Sequence, residues 1–144
     1  MGSEPHGLCQ LSKWYRRGST APPMPYNKFI KQREAMLFTS GSSPHSHLAQ
    51  SVFEFFNTKY SVESDVEVFH TDLTEDNAFG FTEINGEEQF IQIHNDLNEK
   101  DYIITLLHEL VHVVQNENGQ FDDELREQEA YGLESILFNQ FSAN

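Results

Sequence analysis

The sequence predicts a single α+β domain in which helices cover one face of a small sheet. A chain of 144 residues suffices for one packed core but not for two substantial ones. Twelve phenylalanines supply bulky core material. Helical and strand-like patterns then follow in the order helix, three strands, helix, helix, which is typical of α+β domains. We place the domain at residues 44–144 and expect residues 1–43 to form a flexible N-terminal extension.

The extension differs from the domain in composition and charge. It contains a proline-rich patch and a Ser/Gly run without sustained periodicity, at residues 21–25 and 39–43. Residues 1–34 carry six Lys/Arg and two acidic residues, whereas the rest carries three and twenty-one, so the two parts have net charges of +4 and −18. The acidic body disfavours nucleic acid as a ligand because phosphates would be repelled. A solvated tail is the favoured interpretation of the basic segment.

The first predicted helix starts at Ser43-Pro44 and runs to about Tyr60. Its apolar stripe consists of Leu48, Val52, Phe55 and Phe56. Residues 66–70 are a strand candidate. Two further runs are joined by Asn85-Gly86, a strong hairpin signal that would place Phe81 opposite Phe90.

Two more helices complete the predicted domain. Asn98 is an N-cap candidate, with acidic residues in the following turn, and this helix should end at Gly119. Asp122 can cap the last helix, which we expect to extend to about Asn139.

The predicted helix after Asn98 contains the motif His-Glu-x-x-His, formed by His108, Glu109 and His112. Residues four apart lie one above the other on a helix, so both imidazoles can reach the same zinc ion. Glu109 lies about 100° around the helix, where it can reach a metal-activated water rather than the metal. The motif therefore predicts one Zn²⁺ per chain, with Glu109 as the general base of a hydrolase.

A catalytic zinc normally has three protein ligands and one open position. A metzincin would need glycine at 115 and histidine at 118, but Gln115 and Asn118 occupy these positions. A carboxylate from the last helix must then serve. Glu129 is the favoured ligand because it is the one acid on the apolar stripe of that helix. Glu127 is the replacement if a different face of the helix points to the metal. The alternative role for Glu129 is an ordinary salt bridge at the margin of the helix.

From about Glu88 to Phe138 the chain resembles the short gluzincin-type zinc metallopeptidases, including the ImmA/IrrE-like and minimal phage or bacterial proteins with His-Glu-x-x-His. The resemblance implies a minimal zincin-like fold, in which a second helix supplies the glutamate, often in a Glu-Ala pair such as Glu129-Ala130. It also implies a peptidase that hydrolyses peptide bonds of a peptide or protein substrate.

The resemblance further implies that the strand Gln89–His94 is an edge strand that pairs with an extended substrate. Ile91, Ile93 and His94 would then be candidate substrate-binding residues. Tyr131 could donate a hydrogen bond to an oxyanion near the third ligand, although packing is the commoner role of such a tyrosine.

Two other function classes compete with a peptidase. A zinc-stabilised protein-binding module with little or no hydrolytic activity would need the ligands but not Glu109, and a metal-free scaffold would need both helical patterns to be accidental. A single cysteine, Cys9, and the lack of a continuous apolar segment lead us to expect a protein of the cytoplasm, or of the host cytoplasm if virus-encoded, without membrane association.

Overall fold

The structure is a computed structural model, and it describes residues 34–143. Its elements are β1 (Leu37–Gly41), α1 (Ala49–Lys59), β2 (Val66–Thr71), β3 (Gly80–Asn85), β4 (Glu88–His94), α2 (Glu99–Glu117) and α3 (Asp123–Ala143). The predicted α+β class is confirmed. The expectation of a flexible extension lies, for residues 1–33, outside the described residues.

The sheet has four strands in the order β1-β2-β4-β3. The pairs β1-β2 and β2-β4 are parallel, and β3 is antiparallel to β4. The predicted hairpin forms, but the pairing of Phe81 with Phe90 is wrong because Phe90 lies opposite Glu83. Asn85 pairs with Glu88, so the loop begins at Gly86, whose φ of 68° suits glycine.

The prediction that Gln89–His94 forms an edge strand is also wrong. This segment is β4, which lies between β2 and β3, so the two edges of the sheet are β1 and β3. Ile91 and Ile93 are fully buried in the core, where no substrate reaches them. Of the two edge strands, β3 is therefore the one that lies beside the motif helix.

The first edge, β1, lies inside the segment that we predicted to be an extension, so the boundary at residue 43 is wrong. Leu37 is the only buried residue of β1, and an edge strand of this kind carries no alternating apolar pattern. Gly41 has a φ of 73°, and a Cβ at this position would collide with the His70 carbonyl. The Ser/Gly run therefore contains a glycine that close strand approach requires.

The helices α1 and α2 pack on one face of the sheet, and α3 packs on α2 and α1. The central helix is α2, and the predicted cap is confirmed because Asn98 Oδ1 accepts a hydrogen bond from the Asp101 amide at 2.8 Å. Apolar residues of α2 pack with inward side chains of β2 and β4 in one core. The last helix ends at Ala143, slightly beyond the prediction. Within residues 34–143, no helix has the length and apolarity that crossing a bilayer requires.

Candidate metal centre

The two motif histidines lie one turn apart on α2 and are both buried. His108 Nε2 and His112 Nε2 are 3.2 Å apart, and the ring centroids are separated by 4.8 Å. The apolar face of α2 packs against the sheet. The His108 and His112 side chains therefore point towards α3. The motif thus brings two imidazole nitrogens to one point.

The other ring nitrogen of each histidine has an oxygen acceptor. His108 Nδ1 lies 2.8 Å from Glu134 Oε1, and His112 Nδ1 lies 2.6 Å from Gln115 Oε1. The Gln115 amide nitrogen itself donates to two oxygens, the Arg126 carbonyl and Glu129 Oε1, both at 3.1 Å. Each Nδ1 therefore carries the proton that it donates, and in the neutral rings both Nε2 atoms present lone pairs.

Glu127 of α3 faces these two lone pairs. Its Oε1 lies 3.2 Å from His108 Nε2 and its Oε2 lies 3.3 Å from His112 Nε2. Both oxygens are buried, and no group in residues 34–143 donates a hydrogen bond to either of them. One ligand atom from each of the three residues lies within 4.8 Å of the others. A buried carboxylate without a donor costs free energy unless a cation offsets it, so this cluster requires a positive charge.

The geometry groups Glu127, the stated replacement, with the two histidines, whereas Glu129, the favoured ligand, is not in this group. Glu129 does lie on the buried stripe of α3, as its spacing predicted. That stripe, however, faces the core behind the histidines, where Glu129 Oε1 accepts a hydrogen bond from Gln115. Its charge also helps to raise the pKa of nearby Tyr60, although burial of that phenol is the larger cause. Glu129 is therefore linked to His112 through Gln115.

A buried polar network holds the first turn of α3 against α2. The Arg126 guanidinium donates from Nη1 to Asn116 Oδ1 and to the Gln120 carbonyl, each at 2.7 Å. Asn116 in turn donates to Gln89 Oε1 of β4 at 2.9 Å. Because Arg126 is next to Glu127 in the chain, these bonds hold the turn of α3 that carries the Glu127 side chain.

Glu109 points towards the edge strand β3. Its side chain is 1% exposed, and Oε1 accepts a hydrogen bond from Thr82 Oγ1 at 2.6 Å. A Cβ on Gly80 would lie 2.9 Å from Thr105 Cγ2 and 3.3 Å from Glu109 Cγ, so glycine permits the close approach of β3 to α2. The edge strand thereby fixes the position of the Glu109 carboxylate.

The remaining candidates occupy different environments. The Tyr131 ring packs edge-on against His108, with centroids 4.7 Å apart, and the side chain is 48% exposed beside the cluster. His94 Nδ1 accepts a hydrogen bond from the Leu73 amide at 2.9 Å and thus supports the turn after β2. His94 is not among the residues that form the cluster.

Several functional residues were not singled out from the sequence. Thr82 holds Glu109, Gln115 holds His112, and Arg126 anchors the turn that bears Glu127. A signal existed for one of them, because Gln115 follows a run of apolar residues on a helix whose buried face already contains both histidines. Thr82 gives no comparable signal, since a threonine in a strand is ordinary.

Comparison with known protein families gives one result. The family model of the IrrE N-terminal-like domain, Peptidase_M78, matches residues 63–143, which is more than half of the chain. The match begins just before β2 and includes all of β3, β4, α2 and α3. Neither the curated proteins nor the solved structures yield a match to this chain.

Proposed function

The chain belongs to the IrrE N-terminal-like domain family, Peptidase_M78, and on that premise we propose that it is a zinc metallopeptidase that hydrolyses peptide bonds. The observation that carries the proposal is the Glu127 carboxylate, buried without a hydrogen-bond donor among the described residues and facing the two Nε2 lone pairs. Two imidazoles and one carboxylate are a donor set that zinc enzymes use.

We assign the metal ligands as His108 Nε2, His112 Nε2 and the Glu127 carboxylate. A zinc ion held there supplies a Lewis acid that polarises a carbonyl and lowers the pKa of a water molecule. Glu134 and Gln115 accept the Nδ1 protons, which keeps both Nε2 atoms free of protons and orients the rings.

Glu109 is the proposed general base. Thr82 Oγ1 donates to Glu109 Oε1, and this bond fixes the plane of the carboxylate so that it receives a proton without first reorganising. Glu109 takes a proton from the attacking water and passes it to the leaving amine, so one carboxylate serves both halves of the reaction. Its burial beside an apolar helix face excludes bulk water that would compete for the proton.

The substrate strand that we propose is β3, in place of β4. An extended peptide can add to the outer edge of β3 through main-chain hydrogen bonds, which fix it without requiring a particular sequence. An open groove of about 610 Å³ starts at Thr82, beside the proposed base, and continues along β3. Ile84 and Phe121 line it and are 48% and 62% exposed, so apolar substrate side chains would be favoured there.

Two features support a catalytic site over a zinc-stabilised binding module. A structural zinc site is normally closed by a fourth protein ligand, whereas the group of potential ligands found among residues 34–143 has three members. A binding module also has no need for Glu109 to be buried and held by Thr82 of a neighbouring strand.

The test combines metal content with cleavage of a proteome-derived peptide library, read by mass spectrometry. We expect about one zinc per chain in the wild type and in Glu109→Gln, and a loss of cleavage in Glu109→Gln by a factor of at least about 100. Glu99→Gln, an exposed change in the first turn of the same helix, is the matched control and should cleave normally. Zinc uptake without cleavage in the wild type would favour the binding module. An absence of zinc, even after it is added, would mean that a proton balances Glu127 and would remove the proposal.

A further inference from the structure

The sheet has a second face that the helices do not cover, and we call it the outer sheet face. Side chains alternate along each strand, and the inward set of β2 and β4 is buried in the core below α2. The opposite set includes polar residues such as Ser40 and Gln92 together with four phenylalanines and two glutamates: Phe38, Glu67, Phe69, Phe81, Glu83 and Phe90. Phe38 is 49% exposed and Phe69 is 44% exposed.

This face is both apolar and negatively charged. Cross-strand register places Phe90 between Glu67 and Glu83, so aromatic and acidic side chains alternate across the sheet. The Lys/Arg residues that follow position 34 all lie on helices: Lys59, Lys100 and Arg126. No cation of the described strands therefore balances the acids, and exposed aromatic rings grouped on one face indicate a binding surface.

The segment that precedes the described residues has the complementary composition. Residues 1–33 contain six of the nine Lys/Arg residues and one acid, Glu4. They also contain large apolar side chains, among them Trp14, Tyr15 and Phe29. The segment joins the structure at residue 34, three residues before β1, which forms one edge of the outer sheet face.

We propose that residues 8–33 fold back over the outer sheet face of the same chain, with their basic side chains beside Glu67 and Glu83 and their aromatic rings against Phe38 and Phe69. An extended chain covers about 3.3 Å per residue, so these residues can easily cross four strands that are about 4.8 Å apart. A second copy is a poorer occupant because two such faces would bring like charges together. On this proposal the segment would form a third layer instead of the solvated tail that the sequence favours.

Trp14 makes the proposal directly testable because it is the one tryptophan of the chain. Its fluorescence in the chain of residues 1–144 should show emission at shorter wavelength and several-fold weaker acrylamide quenching than in a synthetic peptide of residues 1–33. The double variant Phe38→Ser/Phe69→Ser should return both values towards those of the peptide. The matched control is Phe121→Ser, which removes an exposed phenylalanine from the α2–α3 loop and should change neither.

A second variant tests the proposal independently in case the double variant Phe38→Ser/Phe69→Ser misfolds. Glu67→Lys leaves every phenylalanine in place and reverses one exposed charge, so it should also release Trp14, while Glu75→Lys in the turn after β2 should not. Trp14 values equal to those of the peptide would overturn the proposal. Shielding that persists in both outer-face variants would place the segment elsewhere and overturn it too. Shielding that disappears on dilution would show contact between chains and contradict docking within one chain.

Discussion

The helices α2 and α3 each supply part of the proposed metal centre, but different forces fix their rotation. Fourteen of the nineteen residues of α2 are buried and most are apolar, so hydrophobic packing sets the direction of His108 and His112. The buried residues of α3 are only four, and two of them are Arg126 and Glu129. Hydrogen bonds of Arg126 and Glu129 therefore act beside the apolar contacts of Ala130 and Leu137 in setting the rotation of α3, whereas apolar packing dominates in α2.

Glu127 and Glu129 are two positions apart on α3 but lie in different environments. Glu127 has buried oxygens that lack a hydrogen-bond donor among the described residues, so its burial is unfavourable until a cation binds. Glu129 accepts a hydrogen bond from Gln115 and stabilises the fold without a metal. Metal affinity and stability of the metal-free protein should therefore respond differently to changes at the two positions.

The largest effect is expected from α2. His112→Ala removes one proposed ligand and leaves a pair of ligands that cannot hold zinc tightly, so zinc content should fall from about one per chain to near zero. Elemental analysis of the purified protein measures this content. The control is His47→Ala, an exposed histidine before α1, which should retain zinc. Equal zinc in both variants would place the metal outside the α2 motif.

Substitutions on α3 test the comparison most directly. Glu127→Ala should weaken zinc binding by a factor of at least about 100, while thermal unfolding of the metal-free protein should stay unchanged or move to higher temperature because a buried charge is removed. Glu129→Ala should lower the stability of the metal-free protein by about 1–3 kcal/mol because the Gln115 amide loses one of its two acceptors.

Both readouts are needed because they move in opposite ways. Competition with a zinc chelator gives the affinity, and unfolding in the presence of a metal chelator gives the stability. Glu124→Ala, an exposed change in the first turn of α3, is the control for both. If Glu129→Ala released zinc more strongly than Glu127→Ala, the original choice from the apolar stripe would be restored.

A smaller effect is expected at Glu134, which accepts the proton of His108 Nδ1. Glu134→Ala should reduce zinc affinity about 10–100-fold because the imidazole loses the partner that orients it. Glu134→Gln should reduce affinity less, since an amide oxygen can still accept that proton. Chelator competition on the three proteins measures the order. Equal affinities would show that packing against Tyr131 is sufficient to orient the ring.

The same difference between α2 and α3 explains which parts of the site could be predicted from the sequence. The motif residues, the N-cap Asn98 and the family resemblance were predicted because each depends on local spacing or on an apolar pattern. Glu127 was kept only as a replacement because its position depends on Arg126, Asn116 and Gln89, which are far apart in sequence. Spacing along one helix cannot reveal such a network.

Strand order shows a second limit of the sequence. Local pattern predicted three strands after the first helix, but it could not predict that β1 would form from a polar run with one buried residue. Nor could it place β4 inside the sheet, because parallel pairing with β2 is a long-range contact. The misplaced edge strand follows from these two omissions, and so does the expectation that Ile91 and Ile93 contact a substrate.

The smallest effect concerns His70, a third buried histidine, which contacts α2. It sharpens the comparison because both of its ring nitrogens have hydrogen-bond partners within the protein. His70 Nδ1 donates to the Ser40 carbonyl at 2.9 Å, and His70 Nε2 accepts from the Tyr102 hydroxyl at 2.7 Å. Burial raises the pKa of Tyr102, which keeps that donor protonated. No cation is needed here, in contrast to the cluster at His108 and His112.

Burial of His70 should make the free energy of unfolding depend on pH. Burial lowers the pKa of His70 below its usual value, and the bond to Ser40 opposes this only in part. The unfolded chain therefore binds a proton more readily than the folded one, so this contribution to stability is complete above about pH 6.5 and is lost as the pH falls towards the folded-state pKa. Denaturant unfolding of the metal-free protein between about pH 7.5 and 5 should show a shallower pH dependence in His70→Gln than in the wild type. Because every other ionisable group is the same in both proteins, the difference between the two curves isolates His70, and parallel curves would mean that its protonation is not linked to folding.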